Sequence, residues 1–267
     1  KKFKIKNLKI DTKLNLDELK LKYDLYKIKN YIKNYDNLIK LKKNKFHIKY
    51  LEKKLIIDGS SELYIEDNFK NSLNFKINKN KNKINFETIL NLDNIDLKID
   101  DISFKKKKKE NATLQIKGSE NNKIILFKNI NYLDDNNEVK INNLKINNNK
   151  ILDVDKVRIN YLTENNFKND LTLAKKNSNY ELIGKSFDGI QIIENISNSE
   201  PGKNFFEIFE NLNTKIKIKI DDVKLDDDDI VNNLNGSLEL KKSKIFELNL
   251  NSDFTNNEKL FISIKTQ

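Results

Sequence analysis

The chain contains no cysteine, methionine or tryptophan, one proline and one histidine among 267 residues. Without thiols there are no disulfides and no thiolate nucleophiles or ligands, and nothing marks a redox compartment. His47 lies in KFHIKY, out of phase with Phe46 and Ile48. That puts the lone imidazole on the solvent side of a strand rather than in a catalytic set. No Ser-His-Asp set, Gly-rich phosphate loop or metal-ligand cluster is legible, so the sequence points to no enzyme, cofactor or metal. Arginine is almost absent too. Arg158 stands alone despite a formal charge of +11, whereas bidentate arginine contacts dominate phosphate and base recognition. Nucleic acid is therefore not the expected partner. No apolar run is long enough to span a bilayer, and no signal-peptide pattern is present. The opening KKFKIKNLKI and the closing FISIKTQ carry strand pattern to both ends, as a piece of a longer protein would.

Lysine, asparagine and isoleucine are abundant, the skew that AT-rich coding produces, and most lysines are then default solvated residues. Hydrophobic residues make up 37% and charged residues 34%, against about 45–50% and about 25% in ordinary domains. That supplies one face of a sheet but is thin for a multilayer core.

The apolar residues recur with period 2. In TKIKIKIDDVKL, Ile216, Ile218 and Ile220 alternate with Lys215, Lys217 and Lys219. On a strand all three isoleucines share one face and all three lysines the other. Similar runs recur every ten to fifteen residues or so, separated by polar clusters such as KKKKKEN, GSENN, DDNNE and NNNK. This spacing predicts an antiparallel meander. Leu171 and Leu173 are placed to pair with a strand containing Tyr180 and Leu182. The phase slips at Asp221–Asp222, which predicts a bulge or bend. KKKKK (105–109) and DDDD (226–229) read as solvated turns; the latter lacks the ligand spacing of a Ca²⁺ loop. Helical spacing appears over 28–39, in FDGIQIIENI (187–196), and over 204–212, where Phe205, Ile208, Phe209 and Leu212 share a face. These helices are too few to cover every strand.

An isoleucine brought out of a core into water costs about 1.5–3 kcal/mol, so the apolar faces need a cover. A sandwich, a closed barrel and an open trough with a non-protein filler all satisfy the pattern.

The order over 151–267 is more specific. It runs ILDVDKVRINYL, then YELIGKSFDGIQIIENI with Gly184-Lys185-Ser186-Phe187-Asp188 ahead of a short helix, then TKIKIKIDDVKLDDDDIVNNLNGSLEL, KIFELNLNSDF and KLFISIKT. This resembles the AsmA-like superfamily of Gram-negative bacteria, its YhdP-type branch in particular. Residues 1–150 fit more loosely, as a preceding meander. The resemblance implies a mainly β fold, a long antiparallel meander curled into an open groove with a few short helices. It implies a segment of an inner-membrane-anchored, periplasm-spanning protein that carries phospholipids toward the outer membrane. The anchor would lie outside this chain, and membranes would meet only the ends of the full-length protein. Acyl chains would cover Ile216, Ile218, Ile220, Leu238, Leu240, Phe246, Leu248, Leu250, Leu260, Ile262 and Ile264, with Phe205 and Phe209 packed inside the trough. No chemistry is implied, only an apolar lining. The alternative is a closed β-sandwich or β-solenoid acting as a structural or interaction domain on a cell surface, in which the same residues are plain core.

Overall fold

The computed structural model describes residues 8–22, 31–32, 38–65, 69–197, 212–256 and 258–266. The chain is mainly β, an open meander not closed into a barrel. It divides into two compact units: residues 1–98 with 106–135, and residues 99–105 with 136–267. The division between the units falls at 135/136. The strand that follows residue 136 pairs with the strands after residue 150, which draws 136–150 into the second unit.

The strands in chain order begin with β1 (Ile10–Lys22), β2 (Leu38–Leu51), β3 (Lys54–Tyr64), β4 (Lys70–Asn80) and β5 (Lys83–Asn91). Two short strands, β6 (Leu97–Ile99) and β7 (Phe104–Lys106), flank a 3-10 turn at Asp100–Ile102. Then come β8 (Ala112–Asn121) and β9 (Ile124–Asp134). In the first unit the order is β1-β2-β3-β4-β5-β8-β9, antiparallel throughout. The excursion between β5 and β8 is held by Lys106, whose fully buried ammonium donates to the carbonyls of Leu92 (2.5 Å), Asp93 (2.8 Å) and Ile95 (3.1 Å). Three carbonyl acceptors satisfy all three donors of the ammonium, which is what makes its burial tolerable.

The helix expected over 28–39 is replaced at its end by strand. Leu38 and Ile39 open β2 and pair with Lys22 and Leu21, and Ile32 forms a bridge with Leu97. Pairing with a neighbour overrides the helical spacing there. Most of 28–37 and all but Leu212 of the helix expected over 204–212 lie outside the described residues.

The second unit comprises β10 (Glu138–Asn147), β11 (Lys150–Asp153), β12 (Lys156–Leu162), β13 (Lys168–Lys176), β14 (Asn179–Asp188), α1 (Ile190–Ser197), β15 (Thr214–Lys224), β16 (Ile230–Lys241), β17 (Lys244–Phe254) and β18 (Lys259–Lys265). β11 and β12 both pair with β10, and the path then runs β12-β13-β14-β15-β16-β17-β18. Leu173 faces Leu182 across β13 and β14, as expected. One pair, β14 with β15, is parallel, so the meander is mixed rather than purely antiparallel. A parallel pair needs a crossover rather than a hairpin, and residues 189–213, beginning with α1, supply it.

The phase slip at Asp221–Asp222 is real, but it is shared. Ile220 and Val223 are both buried while the two aspartates between them are exposed. The pairing of β15 with β14 and β16 nevertheless runs through without a shift. The register breaks one strand further out on each side, between Asp170 and Leu171 and between Asn232 and Asn235. Asn233 takes φ 54°, a left-handed conformation that asparagine tolerates better than most residues.

Register is also fixed by charge. On the polar face of the first unit, His47, Asp58, Lys76, Glu87 and Lys117 stand directly opposite one another on successive strands. Lys76 reaches Asp58 at 3.7 Å and Lys117 reaches Glu87 at 3.6 Å. A one-residue slip would set isoleucines into this row and charges onto the apolar face.

Candidate apolar face

The cross-strand pairs sort the first unit's apolar side chains into rows on one face. One row runs Thr12, Ile48, Ile57, Ile77, Phe86, Gly118, Phe127 from β1 to β9. The next runs Leu14, Phe46, Gly59, Phe75, Thr88, Ile116, Ile130. A third runs from Ser61 through Leu73, Leu90 and Leu114 to Tyr132, with Asn44 joined to Ser61 by a 2.7 Å hydrogen bond. Rows on one strand face lie about 7 Å apart, two residues of rise.

Two glycines interrupt these rows, and each is roofed by phenylalanines from its neighbours. Phe46 and Phe75 meet over Gly59 with ring centroids 6.0 Å apart, and Phe86 and Phe127 meet over Gly118 at 5.8 Å. A Cβ on Gly59 would lie 2.4 Å from the Phe75 ring. The missing side chain is what lets the rings close over the notch, an aromatic rescue of a strand glycine.

Most of this face is half-buried. Among the described residues, the elements in extensive contact are strand neighbours, together with α1 against the 3-10 turn. The first two rows are half-buried or exposed along β1 to β9 except at Gly118, while Ser61 and Tyr132 of the third are buried.

In the second unit the expected lining residues fall into register. Ile216, Leu238, Leu248 and Ile264 form one row across β15 to β18; Ile218, Gly236, Leu250 and Ile262 form the next. Leu240 stands opposite Ile245 and Leu260 opposite Ser252. Their burial differs sharply. Leu240 is 1% exposed and Ile220 3%, whereas Ile262 and Ile264 are 36% and 39% exposed. Leu238 is buried, and Ile216, Ile218, Leu248, Leu250 and Leu260 are half-buried. Ile220 belongs to a packed cluster with Leu171, Val223, Val231 and Leu234, against which Ile218, Leu250 and Leu260 also pack. Phe246 is the extra residue at the β16–β17 register shift, and the Lys241 ammonium sits 3.1 Å from its ring centroid.

The Gly-Lys-Ser-Phe-Asp stretch does structural work at the end of β14. A Cβ on Gly184 would lie 2.1 Å from Leu171. The Ser186 hydroxyl donates to the Lys168 carbonyl at 2.5 Å, and Phe187 packs on the cluster. Asp188 accepts from the Ile190 amide at 3.3 Å, capping α1, and its own amide donates to Asn169 at 2.6 Å. Nearby, the fully buried Tyr161 donates to the Ile102 carbonyl at 2.5 Å and stacks edge-on against Phe104. Burial in this apolar setting raises the phenol well above its usual range. The buried hydroxyl ties β12 to the 3-10 turn at Asp100–Ile102.

Sequence reasoning expected its lining residues in the second unit and named none in the first. The signal available was a glycine inside a strand pattern, Gly59 and Gly118, with phenylalanines at neighbouring strand centres. Among the described residues no group of acidic or histidine side chains could hold a metal ion, and no helix is long and apolar enough to cross a membrane. Comparison with family models, with curated proteins and with solved structures returns no match.

Proposed function

We propose that the chain is a segment of a lipid-carrying β-ribbon, holding phospholipid acyl chains on its apolar sheet face. The resemblance to AsmA-like proteins extends this to a periplasm-spanning, inner-membrane-anchored protein that moves phospholipids between the two membranes. One observation supports the reading: in the first unit, two rows rich in Ile, Leu and Phe run in register across seven strands and stay half-buried or exposed except at Gly118. Seven strands at about 4.8 Å spacing give a band about 29 Å long, the length of two acyl chains end to end in a bilayer. Each CH₂ kept out of water on such a band is worth about 0.8 kcal/mol. A continuous lining therefore lowers the barrier to moving a tail without any chemical step.

Extraction and mass spectrometry of the purified chain is the direct test. Phospholipid in near-stoichiometric amount is the expected result, reduced by Ile57→Asp at unchanged secondary structure. A chain that carries no lipid and binds no apolar dye would remove the reading. A closed structural or interaction domain is the second reading, favoured by the complete burial of Val231 and Tyr161 in the second unit.

A further inference from the structure

The apolar rows of the first unit end at a rim of three hairpins. They join β2 to β3, β4 to β5 and β8 to β9, and the pairs Leu51–Lys54, Lys54–Asn80, Asn80–Lys83 and Lys83–Asn121 place them side by side. This rim carries Lys53, Lys54, Lys79, Lys81, Lys83 and Lys123 against Glu52 and Glu120. All six lysines are exposed. Lys79 is on the apolar face itself, opposite Leu55 and Ile84, so the face turns from hydrocarbon to ammonium within one row.

The tips are telling. Lys53, Lys81 and Lys123 all take positive φ, at 66°, 51° and 67°. Glycine or asparagine adopts this left-handed conformation at least cost. Every hairpin on this rim nevertheless sets a lysine there. Several lysines of the polar face are ion-paired in place, Lys76 with Asp58, Lys117 with Glu87, and Lys43 and Lys70 with Glu62. Among the described residues the six rim lysines have no such ion pair. The same polarity recurs independently in the second unit: Lys241, Lys242 and Lys244 surround one end of β16, and Asp226–Asp229 precede the other.

We propose that this hairpin rim is the headgroup track of the apolar face, and that its cargo carries an anionic, phosphate-bearing headgroup. The assignment rests on the acyl-chain reading above. Tails lie on the rows, and the phosphate is held by mobile ammonium groups at the boundary. Lysine suits a moving cargo, since it binds phosphate as a point charge without a fixed bidentate geometry.

The test compares three short-chain, monomeric lipids with identical tails: phosphatidylglycerol, phosphatidylcholine and neutral diacylglycerol. Binding to the intact chain is read by displacement of a fluorescent fatty acid. At low salt phosphatidylglycerol is expected to bind roughly three- to tenfold more tightly than phosphatidylcholine, with the gap closing near 1 M salt. The triple variant Lys53→Glu, Lys81→Glu, Lys123→Glu is expected to lose that gap while binding diacylglycerol as before. Equal affinity for the two phospholipids, or a gap that survives in the variant, overturns the headgroup track but leaves the acyl face standing. Inorganic phosphate that binds as tightly as phosphatidylglycerol also overturns it, making the rim a free-anion site. If not even diacylglycerol binds, the acyl reading fails and the track falls with it.

Discussion

The two units use the same device and finish it differently. Both align apolar side chains in cross-strand rows with lysines behind them. In the second unit Leu171, Ile220, Val223, Val231 and Leu234 pack into a cluster whose Val231 is fully buried. In the first, Phe46, Phe75, Ile57 and Ile77 stay half-buried, and on β1 Ile10, Leu14 and Leu21 are each 41% exposed. The cause is local. The shared slip through β15 and β16 sets two buried residues, Ile220 and Val223, only three positions apart. That brings apolar side chains from both sides of the bend onto one another. The first unit's centre has no comparable kink in β4 or β5; its notches are filled by phenylalanine rings instead. A strand pattern thus fixes which side chains share a face, while bends decide whether that face seals itself.

The largest expected effect breaks this contrast at its extremes. Val231→Asp buries an unpaired charge and should cost about 4 kcal/mol or more, enough to unfold the second unit in a urea titration. Ile57→Asp replaces a half-buried side chain and should cost about 1–2 kcal/mol. Equal costs would mean that both faces are closed cores.

Glycine substitutions sharpen the comparison at smaller cost. In Gly236→Ala the new Cβ would stand 2.0 Å from the Asn249 carbonyl oxygen, so the backbone of β17 must move. A penalty of about 2–3 kcal/mol is expected. In Gly59→Ala the clash is with the Phe75 and Phe46 rings, which can rotate away, and about 1 kcal/mol is expected. Thermal unfolding of the two variants checks the order. A costlier Gly59→Ala would show that the ring pair is rigidly held.

Much of the fold is legible in period-2 runs and polar turns. Ile216, Ile218 and Ile220 announce their strand and face directly. The parallel β14–β15 pair is not legible in this way, because alternation carries no strand direction and only the long connection after Asp188 hints at a crossover. The difference between Ile220, in the core, and Ile264, near solvent, is equally hidden, since both belong to the same alternation. The lining residues of the first unit went unnamed because its glycines look like breaks in a strand until the neighbouring phenylalanines are set beside them.

The smallest effect is electrostatic and belongs to the first unit's polar face. Glu62 accepts hydrogen bonds from Lys70, Lys43 and Tyr64, which together hold its carboxyl at about 2 instead of the usual 4.5. A carboxylate whose folded pKa is depressed stabilises the fold above its unfolded value and loses that contribution as pH falls. Here the loss should begin near pH 4.5 and be complete below about 2. Because the pair is exposed to salt, the effect should be modest and should shrink as ionic strength rises. Glu62→Gln is expected to flatten the acid limb of the stability curve between those limits and to leave the apolar face able to bind its dye. Urea midpoints measured across that pH range decide it. An acid limb unchanged by the substitution would mean that the lysines do not hold Glu62 in solution, and that β3 and β4 are kept in register by their apolar rows alone.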